Sequence, residues 1–137
     1  MQALPDSLVT IGEWAFWDCT KVSVSEIPES VRVIGRLAFT CCEGIKTLIF
    51  LNNMTVIHDR TFSGCKNLER IEFHDGLEEI GDFAFARCIK LTELHLPDTV
   101  EKIGYRSFAN CFSLEKVDLL SFPTIDDTAF DNCDKLR

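Results

Sequence analysis

Residues 80–96 read I-G-D-F-A-F-A-R-C-I-K-L-T-E-L-H-L, and this stretch decides the fold because its pattern recurs along the chain. Outward from Cys88, a cysteine stands at every 23rd position, except that the last interval is 22 residues. An isoleucine lies eight positions before each of these cysteines and a phenylalanine three positions before it. Self-similarity at a fixed period of roughly 20–29 residues predicts a solenoid. The three columns are Ile11, Ile34, Ile57, Ile80, Ile103 and Ile125; Phe16, Phe39, Phe62, Phe85, Phe108 and Phe130; and Cys19, Cys42, Cys65, Cys88, Cys111 and Cys133.

Each repeat divides into two halves with different hydrophobic periods. From Arg70 to His74 apolar and polar residues alternate, as in a strand with one buried face. Between Gly81 and Leu91, apolar residues fall at i, i+1, i+4 and i+7, which predicts a short helix or 3-10 turn. Acids such as Asp82 stand where the N-terminus of that helix would favour negative charge. One such unit is much shorter than the roughly 40 residues that a chain needs to form a hydrophobic core on its own, so we expect the units to stack.

The run L-P-x-x-V-x-x-I-G-x-x-A-F-x-x-C-x-x-L-x-x-I-x-L, seen in Leu96–Gly104 and Ala84–Cys88, resembles the BspA-like leucine-rich repeat. The resemblance extends from Leu4 to Leu136. It implies an α/β fold, a right-handed leucine-rich-repeat solenoid with a concave parallel β-sheet and short helices or 3-10 turns on the convex side.

We expect residues 1–137 to form a single solenoid domain of about six repeats. Because no polar caps are visible at either end, we also expect the chain to be a segment of a longer array. Irregular places are predicted at Ser25, which replaces an aliphatic strand residue, and around Phe122–Pro123, where the interval is one residue short.

Charge and hydropathy exclude two partner classes. The 137 residues contain 14 basic and 22 acidic side chains, a formal net charge of -8. Sequence-independent binding to nucleic acid or to anionic lipid needs a basic surface, so neither partner is expected. No apolar stretch of 18 residues and no signal peptide is present in this chain, so membrane insertion is not expected. The family resemblance implies a cell-surface or secreted protein, but the sequence leaves the compartment open.

The cysteine column invites a metal, redox or disulfide interpretation. Zinc sites need clustered C-x₂₋₄-C pairs, which this sequence lacks, and a thiol against phenylalanine behaves as a small hydrophobe. We therefore predict core packing and no cofactor. Cys41, the seventh cysteine, points elsewhere and is predicted to be a surface residue. The triplet Asn53-Met54-Thr55 would permit glycosylation if the chain were secreted.

Outward-pointing strand positions are predicted to stack into three rows on the concave face. An apolar part lies beside a charged part, which is the composition of a protein-binding patch. The alternative is that charges of alternating sign merely pair across the strands. The rows are Val24, Thr47, Arg70, Glu93 and Lys116; Glu26, Ile49, Glu72, His95 and Asp118; and Pro28, Leu51, His74, Pro97 and Leu120. The predicted partner-binding residues are Val24, Glu26, Ile49, Leu51, Arg70, Glu72, His95, Lys116 and Asp118.

Within that face, Glu72, His74, His95 and Asp118 form a set that could hold a divalent metal ion. The competing interpretation is a solvated histidine flanked by acids. Because nothing in the sequence supplies an outer shell of supporting groups, we predict no metal site.

These patterns favour a non-enzymatic protein-interaction module that binds a partner protein through the concave face. The family resemblance suggests surface adhesion as one setting. A structural spacer that binds no ligand of its own is the alternative. No Ser/His/Asp spacing, phosphate loop or H-E-x-x-H motif supports an enzyme. Self-association, end to end or through exposed aromatic side chains, is a further alternative.

Overall fold

A computed structural model of the protein describes residues 2–136 and shows stacked coils, most with two short strands. Every strand pairing is parallel. Within residues 2–136, no helix is long and apolar enough to cross a membrane. The strands are β1 Thr10–Ile11, β2 Glu26–Ile27, β3 Val33–Ile34, β4 Thr47–Phe50, β5 Val56–Ile57, β6 Arg70–Glu72, β7 Glu79–Ile80, β8 Glu93–Leu96, β9 Lys102–Ile103, β10 Lys116–Leu119 and β11 Thr124–Ile125.

The strands form two strips along the stack. The first strip, called the main sheet, runs through β2, β4, β6, β8 and β10, which are paired as β2-β4-β6 and β8-β10, and its outward face is the one predicted to be concave. Leu48 lies opposite Ile71 and Leu94 opposite Val117, so the register offset equals the 23-residue repeat. The other strip, called the second sheet, runs through β1, β3, β5, β7, β9 and β11, which are paired as β1-β3 and β5-β7-β9-β11 and include the repeated isoleucines. The sequence analysis did not predict it, because two residues are too few to show an alternating pattern.

The phenylalanine column runs through the centre of the stack. Neighbouring rings lie 5.1–5.4 Å apart, centroid to centroid, and are nearly parallel. Phe39, Phe62, Phe85 and Phe108 are completely buried. The offset stacking of aromatic rings is worth roughly 0.5–1.5 kcal/mol per pair beyond the burial of area. The predicted ladder is therefore confirmed for these residues.

The cysteine column is also inside, except that its first member, Cys19, is partly exposed, and its thiols are free. Cys42, Cys65, Cys88 and Cys111 are completely buried. Each of these thiols donates a hydrogen bond to the carbonyl oxygen of the phenylalanine 26 residues earlier, with Sγ–O distances of 3.0–3.5 Å. Cysteine is thus a small core residue that also supplies a weak donor between coils.

The predicted helices or 3-10 turns on the convex side are wrong. Within residues 2–136 this side consists of consecutive turns, so the described fold is an all-β solenoid rather than α/β. In the fourth coil the amides of Ala84, Ala86 and Cys88 each donate to the carbonyl three residues earlier. Phe83 and Arg87 have φ of 57° and 63°. A positive φ at the third residue of a turn is typical of type II turns and cannot occur in a right-handed helix.

The remaining amides of these turns bind the next coil. Phe83, Phe85 and Arg87 donate to the carbonyl oxygens of Tyr105, Ser107 and Ala109, at 2.8–2.9 Å. The same arrangement joins the preceding coil to this one, whereas toward the last coil the amide of Arg106 donates to Thr128 Oγ1 instead of a carbonyl. Every second amide of this segment therefore forms a sheet-like ladder along the convex side, and this ladder replaces the hydrogen bonds that a helix would have made within itself.

Acidic residues beside the repeated isoleucine have a different role from the one predicted. Asp59 Oδ1 accepts a hydrogen bond from the amide of Asp82, and Asp82 Oδ1 accepts one from the amide of Tyr105, both at 2.9 Å. No helix N-terminus exists there to attract them. In these two coils the carboxylates instead accept a hydrogen bond from a turn amide of the following coil that donates to no carbonyl of the ladder.

Glycine follows the repeated isoleucine where two coils approach closely. A Cβ atom at Gly81 would lie 2.6 Å from Asp59 Oδ1 and 2.8 Å from the carbonyl oxygen of Ile57. His58 takes the place of glycine in the third coil, and there the second sheet is interrupted between β3 and β5. At Asp126, in the repeat that is one residue short, the amide still donates to the carbonyl of Ile103.

Candidate interaction surface

The first two predicted rows of the main sheet point outward wherever the strands are paired, whereas Pro28 and Pro97 of the third row are buried. Glu26 lies opposite Ile49, Ile49 opposite Glu72, and His95 opposite Asp118. Thr47 lies opposite Arg70 and Glu93 opposite Lys116. Side chains of successive coils therefore stand side by side on one face, at the spacing of parallel strands.

Eight of the nine predicted partner-binding residues are at least partly accessible on this face. Leu51 is 45% exposed, and Ile49 is half-buried between the two glutamates of its row. These two side chains form the apolar patch. The charged members that reach solvent are Glu26, Arg70, Glu72, His95, Lys116 and Asp118.

Val24 is the exception, and its prediction as a surface residue is wrong. Its side chain is completely buried, whereas the neighbouring Ser25 is exposed. In the later coils the residue at the position of Ser25 is aliphatic and points inward, as Leu48 does. Because a serine cannot fill that place, the backbone turns Val24 into the core, and β2 shortens to two residues. The irregularity predicted at Ser25 is thus confirmed.

The charged part of the face contains two separate groups of ion pairs. Arg70 is paired with Glu72 on the same strand. His95 lies between two carboxylates, with Nδ1 2.7 Å from Asp118 Oδ2 and Nε2 3.1 Å from Glu93 Oε2. Lys116 Nζ lies 3.7 Å from the same Asp118 oxygen. These pairs are exposed, so each adds at most about 1 kcal/mol to stability.

The set of four residues considered for a metal is not brought together. His95 contacts Glu93 and Asp118, whereas His74 is turned toward Gly76 and lines a small apolar cavity with Phe50 and Leu77. No group of three or more His, Cys, Asp or Glu side chains within residues 2–136 is placed to hold a metal ion.

A gap in the main sheet was not predicted. Within residues 2–136, β6 and β8 are not paired as sheet neighbours, although each is paired on its other side. The gap opens into a cavity of about 590 Å³. No sequence signal distinguishes this junction, because Ile71 and Leu94 follow the same pattern as the inward residues of paired strands. The cavity is lined by Glu69, Arg70, Ile71, Glu72, Phe73, Thr92, Glu93 and His95.

A second, smaller cavity adjoins the apolar patch. It has a volume of about 300 Å³, and Leu51 forms part of its wall. Glu26 also lines it and has no charged partner within the described part of the chain. An apolar side chain and a free carboxylate therefore share one depression. The other lining residues are Gln2, Ala3, Leu4, Asp6, Ser25 and Pro28.

Aromatic residues on the convex side are partly shielded by one another. Trp14 and Trp17 pack edge to face at 5.7 Å, and Phe83 and Tyr105 at 5.4 Å. The guanidinium of Arg60 lies 4.6 Å from the centre of the Phe83 ring, which is a cation–π geometry. These contacts pack the aromatic side chains against one another along the flank of the solenoid, while Trp14 and Trp17 remain about half exposed.

Comparison with known proteins decides the family. The model of the BspA type leucine-rich repeat region matches six copies, over residues 2–115 and 57–137. The chain belongs to the BspA-type leucine-rich repeat family. No curated protein gives a significant match to this BspA-type chain.

Solved structures of bacterial leucine-rich repeat proteins are similar to this BspA-type chain. A leucine-rich repeat protein from Bacteroides ovatus is 33% identical with a TM-score of 0.85, over 98% of this chain and 38% of that one. A leucine-rich cell surface protein from Faecalibacterium prausnitzii is 30% identical with a TM-score of 0.80, over 88% of this chain and 32% of that one. A leucine-rich repeat protein from Eubacterium ventriosum is 26% identical with a TM-score of 0.79, over 94% of this chain and 35% of that one.

The BspA-type chain thus spans about a third of the length of these three relatives. Leucine-rich repeat proteins of this family are generally interaction or scaffold modules, and no catalytic family matches the chain.

Proposed function

We propose that this protein is a non-enzymatic interaction module that binds a partner protein through the outward face of the main sheet. The observation that carries the proposal is the apolar patch of Leu51 and Ile49, which shares the outward face with two groups of paired charged side chains. An apolar anchor surrounded by polar groups is the usual anatomy of a protein-binding surface. Surface adhesion is the setting that the family suggests for such binding.

Rigidity supports the same proposal. Ladders of hydrogen bonds on the convex side and stacked rings in the core hold the coils in register. A face built on such a stack loses little conformational entropy when a partner binds, because its side chains are already positioned. Arg70, His95 and Lys116 are each held by a neighbouring carboxylate before any partner arrives.

The test is capture of proteins from cell lysate and from serum by the immobilised chain. We expect the double variant Ile49→Thr with Leu51→Asp to lose the captured proteins, because it removes the apolar patch and adds a charge where a partner's apolar group would be desolvated. Threonine keeps the β-branched shape of residue 49 and avoids a third acid between Glu26 and Glu72. The melting temperature should change little, since neither side chain is fully buried.

Val33→Asp is the matched control. Val33 is 46% exposed, nearly the same as Leu51, but it lies in β3 of the second sheet. Proteins retained by Val33→Asp and lost by the double variant would support binding through the main sheet. Retention by both variants would contradict it. Capture of no protein by the unaltered chain would favour the alternative function, a structural spacer without a ligand of its own.

A further inference from the structure

The gap between β6 and β8 separates two strands that the repeat would otherwise pair. Continued register would place Glu72 opposite His95 and Arg70 opposite Glu93, as the neighbouring strands do. Instead β6 and β8 are not paired in the described chain, and residues of both strands line the cavity of about 590 Å³. Unpaired carbonyl oxygens accept hydrogen bonds from any donor that enters.

The side chains around this cavity carry an excess of negative charge. Three carboxylates, those of Glu69, Glu72 and Glu93, face one guanidinium, that of Arg70, which leaves a formal charge of -2 when His95 is neutral. Arg70 is already paired with Glu72, and His95 with Glu93. The carboxylate of Glu69 has no ion pair or hydrogen bond within residues 2–136.

Apolar atoms line the same cavity. Ile71 and Phe73, whose side chains belong to the core or pack against it, are part of its wall. Lysine and arginine combine an aliphatic stem with a charged head, and they bury the stem along apolar surface while the head meets polar groups. A wall of both kinds therefore matches a long cationic side chain better than a short or purely apolar one.

We propose that this cavity receives a lysine or arginine side chain of the partner that binds the main sheet. The inference rests on the proposed function and adds the chemistry of the partner segment: a basic residue in the cavity and an apolar residue on Leu51 and Ile49. Charge complementarity supports it, because the whole chain carries -8 and the cavity shares that sign.

The experiment uses small probes, so it does not need the natural partner. The full chain, labelled with ¹⁵N, is titrated with N-acetyl-arginine methylamide or N-acetyl-lysine methylamide, and with the neutral norleucine analogue. We expect saturable amide shifts at Ile71, Thr92 and His95 with both cationic probes and none with norleucine. Replacing Glu69 or Glu93 by glutamine should weaken binding about two- to fivefold each, as expected for exposed charge pairs.

Glu115→Gln is the control, because Glu115 stands two coils after Glu69 at the same strand position and does not line the cavity. Its binding should equal that of the unaltered chain. Absence of shifts at these amides, equal shifts with norleucine, or equal weakening by Glu115→Gln would overturn the inference. If the proteins captured by the main sheet are lost in the Ile49 and Leu51 variant while the cationic probes cause no shift, the proposed function stands and only the cavity assignment fails.

Discussion

Replacing Phe85 by alanine is expected to destabilise the protein by roughly 3–5 kcal/mol, because the substitution leaves a cavity in the phenylalanine column that the neighbouring rings cannot fill. The ring is completely buried. It stacks on Phe62 at 5.3 Å and on Phe108 at 5.4 Å, and meets Phe73 edge to face at 5.9 Å. Urea denaturation followed by circular dichroism measures the loss as a change in the free energy of unfolding.

Two phenylalanines provide controls for that substitution. Phe112→Ala should cost less than about 1 kcal/mol, since its ring is 49% exposed on the convex side. Phe130→Ala should fall between the two, because this ring is only partly buried and stacks on Phe108 alone within residues 2–136. Equal losses for Phe85 and Phe112 would show that the column is not the core of the fold.

Gly81→Ala is expected to cost roughly 1–3 kcal/mol, because a methyl group there must push two coils apart. The nearest atoms to its Cβ would be Asp59 Oδ1, the Ile57 carbonyl oxygen and the Asp59 amide, at 2.6, 2.8 and 2.9 Å. Two of the three belong to the backbone, which cannot rotate away as the end of a side chain can. Urea denaturation again supplies the free energy of unfolding.

Gly12→Ala is the matched control for Gly81→Ala. Gly12 occupies the same position of the motif in the first coil, but no atom lies within 4 Å of the added Cβ. Alanine there should leave stability unchanged or raise it by up to about 1 kcal/mol, through the lower entropy of the unfolded chain. A similar loss at both glycines would mean that backbone conformation, rather than the contact between coils, requires glycine in this motif.

The repeat could be predicted from sequence because it depends on side-chain identity at fixed spacing. Phe85, Cys88 and Ile80 recur at one period, and only stacked coils give every copy the same buried environment. The helix prediction failed because seven or eight residues cannot separate a helical stripe from successive turns. The deciding features were positive φ at Phe83 and Arg87, and hydrogen bonds to the next coil. Neither the positive φ nor these hydrogen bonds can be recognised from the residue types.

The candidate surface was predicted less completely. Fixed offsets from the cysteine placed Glu26, Ile49 and Leu51 correctly on the outward face. The same offset misplaced Val24. Here Val24 is buried and Ser25 is exposed, which is the reverse of the equivalent positions in the later coils, so the offset from the cysteine does not predict which of the two points outward. The gap between β6 and β8 depends on how far two coils separate, which the alternating pattern of each strand does not encode.

Alkylation of the folded protein, mapped residue by residue by mass spectrometry, tests the central claim most directly. That claim is that the coils enclose the repeated thiols and rings and leave the main sheet open to partners. Burial raises the pKa of the Cys88 thiol to about 12, and the same cause raises the pKa of Cys65 well above its usual value. At pH 8 with iodoacetamide, Cys19 and Cys41, which are partly exposed, should be modified first. Cys65, Cys88 and Cys111 should react only after urea is added, whereas their modification at the rate of Cys41 in the folded protein would contradict the account.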